Sequence, residues 1–101
     1  MPEPKISLSQ EQIAAFSRRW RITELAVFGS VLREDFRQDS DVDVLVTFAG
    51  DAGHSLLDLV QMQDELADML GHPVDLMEAE GLRNPFRRRE ILRTKEVIYA
   101  A

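Results

Sequence analysis

Two carboxylates two positions apart, Asp41 and Asp43, open a Val-rich apolar stretch. Alternation along a strand points both to one face, about 6–7 Å apart along the backbone. Like charges that close repel each other. A cation between them removes the conflict, and a hard divalent ion with oxygen ligands, Mg²⁺ above all, suits the pair. The chain has two His and no Cys, so a zinc centre does not fit.

Gly29-Ser30 closes the preceding apolar run. Glycine lets the backbone turn sharply and approach a ligand closely. If a helical turn starts at Val31, its unbonded N–H groups and the Ser30 hydroxyl form an anion site. A triphosphate bound there would present oxygens to metals held by Asp41 and Asp43. A third acid, Asp75, lies within Pro73-Val-Asp-Leu-Met77, inside an expected strand. An ionised group there is costly unless it reaches a surface or a cation. Beside the second strand it would complete a three-carboxylate site. Such a site holds two metals about 3.5–4 Å apart, one activating a hydroxyl and one steadying a leaving pyrophosphate. Asp75 could also take the proton of that hydroxyl. Arg33 could reach phosphate or pair with Glu34 or Asp35.

Positioning these groups needs strands and turns in a definite order. Ser9 followed by Gln12 fits a capping box and starts a helix to about Arg19. Glu24 to Phe28 reads as a strand covered on both faces. Val31 to about Phe36 is a short helix, and Arg37 to Ser40 a polar turn. Asp41 to Phe48 alternates as the second strand. Ser55, with Asp58 three residues on, caps a helix to Leu70 whose apolar stripe is Leu56, Leu59, Val60, Leu66, Ala67 and Leu70. Asp58, Asp64, Glu65 and Asp68 mostly face away from that stripe. Gly71 ends the helix. Pro73 to Met77 is a third strand, Gly81 to Pro85 a turn, and Phe86 to about Lys95 a helix. Val97 to Ala100 is a short strand or extended tail. The order predicts an α/β (α+β) domain with a small mixed sheet of three to four strands flanked by helices. Phe16, Trp20 and Phe28 are expected in the core, and Met62 and Met69 as helix packing. His54 and His72 are expected as solvent-facing turn residues.

The 101 residues favour one domain, residues 1–101, with residues 1–8 a loose leader. No apolar run approaches the roughly 20 residues of a membrane span, and the first residues do not form a secretory signal. The lack of Cys suits a reducing compartment, so a cytoplasmic location is expected. Net charge is −6, which argues against duplex nucleic-acid binding. Arg83, Arg87, Arg88, Arg89, Arg93 and Lys95 gather near the C-terminus. They form a solvated helix face or a contact surface for phosphate or an acidic partner.

Gly29-Ser30, ten intervening residues, then Asp41-Val42-Asp43 resembles the signature of the polymerase-beta-like nucleotidyltransferase superfamily. The stretch GSVLREDFRQDSDVDVLV is similar to its minimal nucleotidyltransferase branch, and VDLMEAEGL and NPFRRREILRTKEVIY extend the likeness over residues 20 to 100. The resemblance implies a nucleotidyltransferase fold. It implies Asp41, Asp43 and Asp75 as catalytic metal ligands for two Mg²⁺ ions, and Gly29 and Ser30 as the residues that hold the triphosphate; Arg33 joins the nucleotide-binding set by its own reach. Antitoxins of this branch are encoded beside HEPN-domain RNase toxins and transfer AMP from ATP to a toxin tyrosine. The resemblance therefore implies a HEPN toxin as partner in a hetero-oligomer. Many relatives carry Gly after the residue matching Arg33, where this chain has Glu34.

The expected activity is Mg²⁺-dependent AMP transfer to a partner hydroxyl. The alternative is a non-catalytic antitoxin that neutralises its partner by complex formation. A third reading, transfer to a small molecule, lacks the helical domain that larger relatives use to grip an acceptor.

Overall fold

The computed structural model describes residues 9–32, 37 and 40–101. The expected leader 1–8, Arg33 with its neighbours Glu34 and Asp35, and the end of the short helix expected to Phe36 lie outside the described residues.

Helix α1, Gln10–Arg19, leads into strand β1, Ile22–Phe28. A 3-10 turn, Gly29–Leu32, precedes β2, Val42–Phe48, and helix α2, Leu56–Leu70. Strand β3, Val74–Glu78, is followed by a second 3-10 turn, helix α3, Pro85–Thr94, and strand β4, Glu96–Ala100. The strands lie in the order β3-β2-β1-β4. β1 runs antiparallel to both β2 and β4, whereas β2 and β3 are parallel. A parallel pair needs a long crossover, and α2 supplies it.

Alternation sorts the sheet residues onto two faces. Leu25 and Val27 of β1, with Val42, Val44 and Val46 of β2, pack against Ile13 and Phe16 of α1 and Met62, Leu66 and Leu70 of α2. Ala26, Phe28 and Leu45 pack on the opposite side with Ile91 of α3. Helices α1 and α2 therefore cover one face, and α3 covers part of the other.

Several expectations change in detail. β1 begins at Ile22, two residues before the expected Glu24, because Ile22 pairs with Phe48 and is buried. The segment after β1 is a 3-10 turn from Gly29, where a short helix from Val31 was expected. On α2 the buried face is Met62, Leu66 and Leu70, while Leu56 is 77% and Val60 49% exposed. The first turn of α2 is exposed, so periodicity alone misplaces the stripe. Glu65 does not face away into solvent: it accepts hydrogen bonds from Arg19 and from Trp20 Nε1, the latter at 2.8 Å.

His54 is not a solvent-facing turn residue. Its side chain is only 12% exposed, with its ring edge-on to Trp20 and Phe48 at 5.6 and 4.7 Å. Its Nε2 meets the Trp20 carbonyl, an acceptor only, so that nitrogen carries the proton. The contact ties the start of α2 to the end of α1.

Both ends of α2 are capped. Ser55 and Asp58 form a reciprocal capping box, and Gly71 takes the left-handed conformation at φ +71° that a Cβ would disfavour. Replacing Ser55 by Ala should lower the unfolding free energy in urea by about 1 kcal/mol. The Ser55 backbone N–H, bonded to the Asp58 carboxylate, holds that carboxyl below its ordinary value. A lowered folded pKa contributes stability above the ordinary carboxylate value and loses it as pH falls through the lowered one. Unfolding followed from neutral into acid pH should therefore show a shallower loss in Asp58→Asn than in the parent. Parallel curves would contradict this assignment.

Candidate active site

The carboxylates stand where three strands come into register. Phe28, at the end of β1, pairs with Asp43 of β2, and Asp43 pairs with Asp75 of β3. Register partners on neighbouring strands project to the same face. Asp43 alternates with the buried Val42 and Val44, so it projects from the face that carries Leu45 and α3. Asp75 follows with Met77, which packs with the same group as Leu45. Asp43 is half-buried and Asp75 exposed. Helix α3 covers this face around Ala26, Phe28 and Leu45, while Asp41 and Asp75 stay exposed.

Asp41 immediately precedes β2 and is exposed. Two contacts tie its surroundings to the start of β3. The Val42 N–H donates to the Pro73 carbonyl at 2.8 Å, and His72 Nδ1 meets the Ser40 carbonyl at 3.3 Å. The approaches to β2 and β3 are therefore clamped side by side. Further along β3, the Leu76 N–H donates to Gln63 Oε1 of α2 at 3.1 Å, satisfying a backbone group on an edge strand. Sequence reasoning did not find the positioning roles of His72 and Gln63. Both depend on partners about 13 to 32 residues away that no local pattern marks.

Gly29 is fixed by a contact. Its φ is +74°, and an ideal Cβ there would lie 2.6 Å from Asp43 Oδ2. Absence of that carbon gives the Asp43 carboxylate its place and lets the 3-10 turn begin against it. Ser30 lies within that turn by its backbone. Arg33 lies outside the described residues. The turn's N-terminal amides and the carboxylate of Asp43 are thus adjacent, an arrangement that can hold phosphate oxygens beside an anion only if a cation intervenes.

Among the described residues, no three His, Asp or Glu side chains stand close enough together to hold one ion. The backbone register nonetheless brings Asp43 and Asp75 side by side, and Asp41 precedes Asp43 by two positions. The donor set is all carboxylate, as a hard divalent ion requires. The notch that Gly29 leaves in front of Asp43 Oδ2 is one a methyl group would fill. The residues therefore fit Mg²⁺ in donor chemistry and in placement along the strands.

Gly29→Ala should cost about 1–2 kcal/mol from its left-handed backbone alone. The contact with Asp43 adds to that cost. In an Asp43→Ala background the same substitution should cost less by about 1 kcal/mol in urea unfolding, the coupling expected of residues in contact. Equal costs in both backgrounds would show that Gly29 does not shape the Asp43 position.

Comparison with known proteins gives the family and the fold. Residues 9–98 match the nucleotidyltransferase domain family. The protein adenylyltransferase MntA of Thermococcus cleftensis is 35% identical over 81 residues, which are 80% of this chain and 77% of that protein. A solved structure described as a minimal nucleotidyltransferase is 36% identical, covers 86% of each chain and superposes with a TM-score of 0.70. A structure of a tri-AMPylated Shewanella oneidensis HEPN toxin in complex with MNT antitoxin aligns at a TM-score of 0.64. That alignment is 16% identical over 91% of this chain and 70% of the other, and it shows the shared fold. The turn at Gly29, Asp41 just before β2, Asp43 on β2 and Asp75 on β3 stand on the fold of that family: the chain belongs to the nucleotidyltransferases, in their minimal form.

Proposed function

We propose that this chain is a protein adenylyltransferase: it transfers AMP from ATP to a hydroxyl of a partner HEPN toxin and so acts as its antitoxin. The observation that carries the reading is the register of Phe28, Asp43 and Asp75 across three adjacent strands, with the turn that begins at Gly29 set against the Asp43 carboxylate. The likeness to MntA, named a protein adenylyltransferase, supports the group transferred. The fold shared with an antitoxin bound to an AMPylated HEPN toxin supports the partner. The acceptor is a tyrosine of that toxin. The chain works as a single domain, in the cytoplasm where ATP is supplied.

Asp41, Asp43 and Asp75 would hold Mg²⁺, two ions in the full site. When bound, the metal lowers the pKa of the attacking hydroxyl and neutralises charge on the phosphates. The chain's own residues do the rest. Backbone amides of the Gly29–Leu32 turn, the Ser30 hydroxyl and Arg33 bind the β- and γ-phosphates. Asp75 takes the proton of the tyrosine hydroxyl. The phenolic oxygen bonds to the α-phosphorus, the bond from that phosphorus to the bridging oxygen breaks, and pyrophosphate leaves.

A second reading, neutralisation by occlusion alone, is favoured by one observation: among the described residues, no three acid side chains stand close enough together to hold one ion. Transfer from α-labelled ATP to the co-purified partner separates the two. The parent should label the partner, and Asp41→Ala/Asp43→Ala should not. Asp75→Asn should slow labelling by about a hundredfold or more, the usual loss when a proton acceptor is removed. Labelling that persists in the double variant would overturn the assignment. Protection of cells by an unlabelling double variant would favour occlusion.

A further inference from the structure

Three large apolar side chains stand in solvent at the start of α2: Leu56 is 77%, Leu57 80% and Val60 49% exposed. A lone exposed Leu needs no explanation, but a contiguous group does. Successive helix residues turn by about 100°, so Leu56, Val60, Asp64 and Leu57 share one arc of about 100°. Gln63 borders that arc, and its Oε1 accepts from the Leu76 N–H of β3. The exposed face therefore runs beside the edge strand β3. Its upper end meets the end of that strand. His54, just before the helix, lines one hollow of about 220 Å³ together with Glu78 and Glu80.

Charge decides what covers this face. From Gln38 to Leu82 the sequence has no Lys or Arg. Arg19 and Arg21, from outside that stretch, pair with Glu65 and Asp51. Among the described residues no ion pair engages Asp64, Glu78 or Glu80. The face is thus apolar at its centre and anionic at its margin. Such a margin repels nucleic acid and acidic proteins. It matches apolar side chains flanked by Lys or Arg. An added strand is disfavoured, because the Leu76 N–H on the sheet edge is already bonded to Gln63. A helix carrying both residue types at i, i+3 and i+4 reads the surface through side chains alone.

We infer that the first two turns of α2, with Glu78 and Glu80, form a docking surface for a basic amphipathic helix of the protein that carries the acceptor hydroxyl. The inference rests on the proposed AMP transfer for the identity of that protein, and it adds where the protein is held. The helix covers Leu56, Leu57 and Val60, and one of its Lys or Arg side chains enters the hollow beside Glu78 and Glu80. Docking here leaves the catalytic face free, since α2 packs on the face opposite to α3. The acceptor is still within reach. Asp75 lies on β3 itself, three residues before Glu78 and about 10 Å along the strand. A partner lying along the β3 edge presents its hydroxyl to Asp75 while its helix stays on α2. The Gly29 turn, which ends β1, is two strands away and is not obstructed.

The test follows label from α-labelled ATP to the purified HEPN toxin over a range of toxin concentrations, with sedimentation of the mixed proteins as a second readout. Leu56→Gln/Leu57→Gln and Glu78→Gln/Glu80→Gln should each raise the KM for toxin about tenfold or more, and leave kcat and ATP affinity within about twofold. Both should keep the parent's circular dichroism, since Gln is a good helix former and the Leu positions are exposed. Added salt should weaken toxin binding by the parent, and weaken it less in Glu78→Gln/Glu80→Gln. Phe86→Ser, 84% exposed on α3, is the control and should leave the KM for toxin unchanged. Unchanged KM in both α2-side variants would overturn the inference. A rise confined to Phe86→Ser would move docking to α3 and overturns it equally. An isolated parent that sediments as a dimer, dissociated by Leu56→Gln/Leu57→Gln, would make a second copy the occupant and also overturns it. A parent that does not bind the toxin does the same. A parent that binds the toxin through this face and transfers no label would keep the docking surface and remove the proposed activity instead.

Discussion

The parallel register of β2 on β3 is the constraint from which the rest of the site follows. Pairing Asp43 with Asp75 puts two acids side by side on one face. A shift of one residue in either strand would turn its acid to the face of α1 and α2, which is lined with Leu25, Val27, Val42, Val44 and Met62, all fully buried. An ionised carboxylate there would lose its hydration without a partner. The apolar side therefore fixes the register, and the polar site inherits it. Residues far from any chemistry, Val42 and Val44 above all, decide where the acids point.

Helix α3 packs on the same sheet face that carries Asp43. It buries Ile91 against Ala26, Phe28 and Leu45, closing the second layer over only part of the sheet. Full cover would bury the acids, and no cover would leave Phe28 and Leu45 in water. The helix is held in this intermediate position at its start and its end. Asn84 caps its first N–H groups, and Lys95 beyond its last turn pairs with Glu24 of β1. The Arg88 guanidinium also donates to the Ala79 carbonyl at 3.0 Å. The position of α3 over Phe28 and Leu45, short of the exposed Asp75, is thus a product of packing.

Much of this was legible in the sequence for a physical reason. Alternating Val residues fixed β2, reciprocal Ser55 and Asp58 fixed the start of α2, and Gly71 fixed its end, because each signal is local. The Gly29-Ser30 and Asp41-Val42-Asp43 spacing was legible because a turn and a strand start must carry those residue types. What was not legible depended on distant contacts. His54 looks like a loop residue until Trp20 and Phe48 close around it. The exposed start of α2 looks like core until the sheet's extent is known. The 2.6 Å approach that makes Gly29 obligatory belongs to Asp43, fourteen residues later.

The charge distribution follows the same division between global and local. A net charge of −6 sets the chain against polyanions at long range. Within a Debye length of about 8 Å the sign is set by neighbours instead. There, Arg87, Arg88, Arg89 and Arg93 stand exposed on α3. One anionic small molecule can be drawn to that helix, whereas a long phosphate backbone would also meet the acidic surface around it. Net charge and the local charge of α3 thus act over different lengths, and their signs are opposite.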